Sequence, residues 1–242
     1  MRRVLLLMAA LCLLGACGGE QSAGEAKPEK ANPGKAEPEK AKPVKAERAA
    51  ESDEPRRPAA EADPRGPDKY TVKLTTTKGE IVIDVHREWA PHGADRFHRL
   101  MQEGYYADVA FFRVLEGFMA QAGLHGDPAT NAKWRERRIP DDPVRQGNTR
   151  GRVTFAMAGP DSRTTQFFIN YGTPARLDTM GFAAFGQVRE MAAVDALYAG
   201  YGEGAPKGNG PHQQRIHLEG NAYLKREFPQ LDYVVKAEII EQ

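Results

Sequence analysis

Apolar and polar positions alternate along Tyr70-Thr71-Val72-Lys73-Leu74-Thr75 and again along Glu80-Ile81-Val82-Ile83-Asp84-Val85, with Lys78-Gly79 between them. Period two on either side of a turn predicts a pair of strands. The period then changes. Ala94, Phe97, Leu100 and Met101 recur at three- and four-residue spacing, which predicts a helix with one apolar face. Pro91 suits its first turn and Gly104 its stop. Two short apolar runs follow, Phe111-Phe112-Arg113-Val114-Leu115 and Phe118-Met119-Ala120-Gln121-Ala122, joined at Glu116-Gly117. Further strands are predicted at Arg152-Val153-Thr154-Phe155-Ala156, Gln166-Phe167-Phe168-Ile169-Asn170 and Phe182-Ala183-Ala184-Phe185-Gly186-Gln187-Val188. Met191, Val194, Leu197 and Tyr198 mark a second helix that Gly200 ends, and a glycine-rich loop spans 202–210. Residues 233–240 close the chain as a strand. Asp127-Pro128, Asp141-Asp142-Pro143 and Gly147-Asn148 read as turns, and Trp134 as a plug of loop against barrel. Many short strands with two clear helices predict a mainly-β domain, a closed antiparallel barrel capped at its ends.

Composition divides the 242 residues sharply. Between residues 18 and 69 there is no aromatic side chain and Val44 is the only large aliphatic. Four pentads of the form x-Pro-x-Lys-Ala run from Lys27 to Ala46. Such a segment cannot bury enough apolar surface to offset its ordering entropy, so a disordered, locally stiff linker is expected over 18–69, with the folded domain over 70–242. Upstream, Arg2-Arg3 precede an apolar stretch from Val4 to Leu14 that is short for a bilayer span and reads as a targeting segment. Leu14-Gly15-Ala16-Cys17 resembles a bacterial lipobox, which predicts a signal peptide over 1–17, lipidation at Cys17 and a lipid-anchored protein of the cell envelope. In terms of the lipoprotein resemblance, Gly18 in the next position favours the outer membrane facing the periplasm, with the outer face of the cytoplasmic membrane as the alternative.

Charge and cysteine usage narrow the chemistry. A net charge of +1 gives no reason to expect nucleic acid. With Cys12 removed and Cys17 acylated, the mature domain holds no thiol, which excludes a cysteine nucleophile, a thiolate metal site and a disulfide. His92 and His98 lack companions at ligand spacing, so no metal is expected. Ser162 is the only serine from residue 70 onward and sits in no elbow motif. The glycines after Gly202 lack the Gly-Lys-Ser/Thr ending of a phosphate loop. What stands out is Arg113, a charge inside a run that should otherwise be buried.

Phe111-Phe112-Arg113 through Gly117-Phe118-Met119-x-Gln121-x-Gly123 resembles the signature of the cyclophilin family of peptidyl-prolyl cis–trans isomerases. Phe155-Ala156-Met157-Ala158-Gly159-Pro160, Gln166-Phe167-Phe168-Ile169 and Phe185-Gly186-Gln187-Val188 are similar to its other core blocks in the same order. With Ile139-Pro140-Asp141-Asp142-Pro143 and an extended C-terminal region, the chain looks like the extracytoplasmic bacterial branch. The resemblance implies an eight-stranded barrel with two capping helices, no cofactor, a monomer, and proline-containing polypeptides as partners. It implies Arg113 as the catalytic residue. Phe118, Met119 and Phe168 would bury the pyrrolidine ring, and Gln121 would bond the peptide and position Arg113. Ala156 and Met157 would offer main-chain groups, Gln166 would line the groove, and Leu177 and Phe182 would stand at the rim.

Three departures from the family pattern accompany the match. Met157 stands where many members have Asn, Arg176 replaces a pocket-edge tryptophan, and Phe182 replaces a rim histidine. They imply weak inhibition by the cyclic peptide cyclosporin. A second reading of the same residues is a proline-recognising, chaperone-like binding module in which isomerisation is incidental.

Overall fold

A computed structural model describes residues 62–241; the lipobox with Cys17 and most of the expected linker lie outside the described residues. Nine strands form one antiparallel sheet: β1 (Lys69–Thr76), β2 (Gly79–His86), β3 (Val109–Ala110), β4 (Arg113–Leu115), β5 (Met119–Ala122), β6 (Arg152–Phe155), β7 (Phe167–Asn170), β8 (Ala184–Val188) and β9 (Tyr233–Glu241). Their order is β3-β9-β1-β2-β8-β6-β7-β5-β4. The expected count of eight is therefore one short. Closure also differs from a continuous barrel. The two end strands, β3 and β4, are neighbours in sequence, and Phe111-Phe112 alone bridge them. The sheet curls until its edges meet at this two-residue seam.

Alternation along the strands sorts the side chains. Val72, Leu74, Ile81, Ile83, Val85, Val114, Ala120, Ala122, Val153, Phe167 and Ile169 all enter one core. Phe97 of helix α1 (Pro91–Gln102) is the centre of its aromatic packing, with Tyr106, Phe155, Phe167 and Phe185 within 6.5 Å between ring centroids. Ala90 cannot cap α1 with a side chain, so the cap comes from afar. The Asp142 carboxylate accepts from the His92 and Gly93 amides at 2.9 and 2.8 Å, and Arg163 donates to it at 3.0 Å. The Ile139-to-Pro143 segment is thus a remote lock on the helix that fills the barrel mouth.

The helices depart from expectation in four places. Asp127-Pro128 starts a helix, α2 (Pro128–Trp134), with Asp127 accepting from the Ala129 and Thr130 amides at 3.2 and 3.0 Å. Trp134 at its end is buried, as expected of a plug, with the guanidinium carbons of Arg96, Arg99 and Arg137 lying 5.1–5.3 Å from its ring. A single turn, α3 (Arg176–Thr179), brings Leu177 into place. The helix expected from Met191 to Tyr198 is only α4 (Ala192–Asp195), because the Asp232 carboxylate captures the Tyr198 amide at 2.7 Å and draws the chain out of helical register. The long second helix lies further on, at α5 (Gln213–Glu227). Its Ile216, Tyr223 and Leu224 pack with Ala110 and Phe112 in a second apolar cluster and so cover the seam from outside.

Residues 62–68, counted with the linker on composition, pack against α1. Asp63 binds Arg96 and Arg99 at 2.7 and 3.1 Å, and the Gly66 amide donates to Asp95 at 2.9 Å.

Gly123 shows how closely β5 and β7 approach. Its φ is +106°, and a Cβ there would lie 2.4 Å from the Thr165 carbonyl oxygen. Gly123→Ala is expected to cost about 2–3 kcal/mol from backbone strain and overpacking together. Urea unfolding checks this, and a loss below ~1 kcal/mol would mean that the two strands part easily.

Candidate active site

The face of the sheet opposite the core builds the site. On β4, Val114 points into the core, so Arg113 and Leu115 point away; on β5, Ala120 and Ala122 point in, so Met119 and Gln121 point away. Phe168 does the same on β7. Register then sets these residues in rows: Arg113 opposite Gln121, Gln121 opposite Phe168, and Leu115 opposite Met119. A one-residue slip in any of these strands would send the whole row to the core face.

Met119, Phe168 and Leu177 form a third apolar cluster, with Leu115, Phe118, Ala156 and Phe182 packed against it. All of these but Leu115 form the floor and walls of a cavity of about 220 Å³. Arg113, Phe118, Met119, Gln121, Ala156, Met157, Phe168, Leu177 and Phe182 all line it, together with Gln213 from the first turn of α5. Drug-sized sites run to roughly 300–1,000 Å³, so this one suits a single small ring and not a large ligand. Phe182 stands edge-on to Phe168 with centroids 5.8 Å apart. Arg176 lies with its guanidinium carbon 5.8 Å from the Phe118 ring, a cation on the rim where the family resemblance leads one to expect an indole.

Two of the expected residues have partners within the protein. Gln166 adjoins Gln121, accepting from Gln121 Nε2 at 2.9 Å. The Ala156 amide donates to the Gln166 carbonyl at 2.9 Å, which leaves the Ala156 carbonyl as the main-chain group it can offer a peptide.

The guanidinium of Arg113 is held on two sides. Its Nη1 donates to Gln121 Oε1 at 2.9 Å, which fixes the Gln121 amide because arginine has no acceptor to offer. Its Nε and Nη2 donate to the two carboxylate oxygens of Glu203, both at 2.6 Å. This side-on pair is charge-assisted and planar. The Arg113 hydrogen bond, first among several causes, holds the Glu203 carboxyl below its ordinary range. Nη1 also donates to Met119 Sδ at 3.9 Å, so of the five guanidinium N–H groups four have partners within the protein and one, on Nη2, is left for a group in the cavity.

Glu203 and Gln213 belong to the region after residue 199, where the sequence showed only glycines and an unassigned stretch. An acid between two glycines, Gly202-Glu203-Gly204, was the one local signal for Glu203.

The family model described as cyclophilin type peptidyl-prolyl cis-trans isomerase/CLD matches residues 71–216. The chain belongs to this family. A peptidyl-prolyl cis-trans isomerase-like 3 of Rhizopus delemar is 36% identical over 133 residues, which cover 50% of this chain and 76% of that protein. The corresponding protein of Dictyostelium discoideum is 30% identical over 133 residues, covering 52% and 79%. A crystal structure of a cyclophilin-type isomerase from Cryptosporidium parvum matches with a TM-score of 0.54 at 20% identity, covering 72% of this chain and 99% of that one. A second structure of the same protein was determined in the presence of the dipeptide Ala-Pro. These relatives are eukaryotic, so they speak to the family and not to the extracytoplasmic bacterial branch.

Isomerisation needs little from a protein in covalent terms. The barrier of ~18–20 kcal/mol is the loss of amide resonance, and X-Pro bonds populate both isomers within ~1 kcal/mol. As the bond twists, the proline nitrogen regains its lone pair and becomes an acceptor. A positioned donor that meets it only then lowers the barrier without tightening the ground state. No group, proton or electron changes hands, so the reaction asks for no cofactor.

Proposed function

We propose that this isomerase accelerates X-Pro rotation in polypeptides of the cell envelope, with Arg113 as the donor to the twisting bond and the Met119-Phe168-Leu177 floor as the seat of the proline ring. The observation that carries the reading is the cross-strand row that sets the Arg113 guanidinium at the edge of a ring-sized apolar cavity. The buried floor desolvates the ring, and the half-exposed charge beside it favours the state in which nitrogen accepts. The lipobox-like Leu14-Gly15-Ala16-Cys17 and the proline-rich pentads support a lipid-anchored protein with its domain on a tether.

Exchange NMR on an Ala-Pro peptide with the purified full chain tests the catalytic part. Saturable acceleration of cis–trans exchange is expected. Peptide binding without acceleration would instead establish the proline-recognising module. For the envelope assignment, metabolic labelling with palmitate in a bacterial host is expected to mark the full chain and not Cys17→Ser. An unlabelled full chain recovered in the soluble fraction would remove that assignment.

A further inference from the structure

The glycine-rich loop after α4 has no part in the family chemistry, yet its backbone is folded around one side chain. The Glu203 carbonyl accepts from the Gly210 amide at 2.8 Å, and the Glu203 carboxylate accepts from the Gly204 amide at 2.9 Å. The Ala205 amide donates to the Gly210 carbonyl at 3.1 Å and the Gly208 amide to the Gly204 carbonyl at 3.1 Å, which closes the loop on itself. A Cβ at Gly208 would lie 2.3 Å from the Glu203 carbonyl oxygen and 2.8 Å from the Glu203 Cβ; one at Gly210 would lie 2.9 Å from that same oxygen. Those two positions are glycine because the chain passes too close to Glu203 for anything larger. The glycines therefore serve presentation of a carboxylate, which then takes the Nε and Nη2 of Arg113 while Gln121 takes Nη1.

We infer that Glu203 is a positioning residue for catalysis: by pairing side-on with Arg113 it fixes the plane of the guanidinium, so that the remaining Nη2 N–H is held ready for the proline nitrogen. The inference rests on the isomerase reading above. Two effects of the carboxylate oppose each other. It offsets part of the positive field that the twisting bond would feel, and it removes the rotational freedom of a long side chain that is 22% exposed. Orientation wins, because a donor acts on a lone pair only at hydrogen-bond distance and angle, whereas a mobile guanidinium in a water-filled mouth spends its donors on solvent. Gln121 alone holds one nitrogen and leaves the plane free to pivot.

The test is steady-state isomerisation of an Ala-Pro peptide by Glu203→Gln, Glu203→Asp and Gly208→Ala, with Glu203→Gln repeated in an Arg113→Ala background. Glu203→Gln is expected to lower kcat about tenfold with KM within about twofold. Glu203→Asp should recover part of the loss, and Gly208→Ala, which displaces the loop and keeps the charge, should lower kcat in the same sense. In the Arg113→Ala background, Glu203→Gln should change nothing further, which a merely structural role would not produce. Unchanged or raised kcat in Glu203→Gln, a raised KM at constant kcat, or an equal loss without Arg113 would each overturn the inference. If Glu203→Gln does not fold, Glu203→Asp and Gly208→Ala take its place: a lowered kcat at constant KM supports the role, and an unchanged kcat in both removes it. Failure of the isomerase reading is distinguishable, since the unaltered chain would then show no acceleration at all.

Discussion

Arg113→Ala is expected to lower kcat/KM for an X-Pro peptide about a hundred- to thousandfold, with the fold intact. The magnitude is that of removing one preorganised donor from a charge-stabilising site, about 2.7–4 kcal/mol at ~1.36 kcal/mol per decade. The loss should fall on kcat and leave KM nearly unchanged, because the ring is held by Met119, Phe168 and Leu177 and not by the guanidinium. Stability should hardly move. The Arg113–Glu203 pair is open to water, with side chains 22% and 34% exposed, and pairs of that kind contribute little. Exchange NMR gives the rate and a urea transition the stability. Wild-type turnover in this variant would remove Arg113 from the mechanism, and unfolding would make it a structural cation.

Arg96→Ala is expected to destabilise the fold by about 3–5 kcal/mol. Arg96 is 1% exposed on α1 and donates to Asp63 at 2.7 Å, to the Arg137 carbonyl at 2.5 Å and to the Thr164 carbonyl at 2.9 Å. Its removal leaves a nearly buried carboxylate with only Arg99, strips two carbonyls of their partner and takes a guanidinium from the Trp134 ring. Burial pulls the Arg96 pKa below its ordinary value against the opposing pull of the Asp63 carboxylate. Asp63→Asn should cost less, since the amide still accepts. Urea unfolding of both variants checks the order; an Arg96→Ala loss under ~1 kcal/mol would mean that water fills the gap freely.

Those two residues also mark how far local sequence pattern reaches. Arg113 was legible because a charge interrupts an apolar strand; Met119, Gln121 and Phe168 were assigned to its site through the family resemblance, and the strand register sets them beside it. Most of the barrel was legible from alternation of period two. The anchor at Asp63 was not, because Pro64, Gly66 and Pro67 give the segment a linker's composition and its order comes from ion pairs to a helix thirty-odd residues away. Helix α5 escaped because Gly220, at φ 58° and ψ −144°, breaks it in the middle and Leu218 faces solvent, so no apolar stripe persists. That break is imposed from outside: a Cβ at Gly220 would collide with the Gly126 carbonyl, whose oxygen accepts from the Asn221 amide at 2.8 Å. Glu203 escaped with the region that contains it, since pairing across ninety residues leaves no local trace.

The curled sheet has a further property that its neighbours in the wall do not share. Where β3 meets β4 the edges are held by Phe111, Phe112 and the apolar face of α5, with no ladder between them among the described residues. Contacts between side chains stretch by degrees, whereas backbone pairing is made or lost rung by rung. At this one line the cylinder is closed by buried side chains and by the covalent link through Phe111-Phe112, with the Phe111 amide donating to the Asp232 carbonyl at 2.9 Å. Arg113 is the first residue past it, so the groove that receives the ring begins where the wall changes from backbone pairing to side-chain packing.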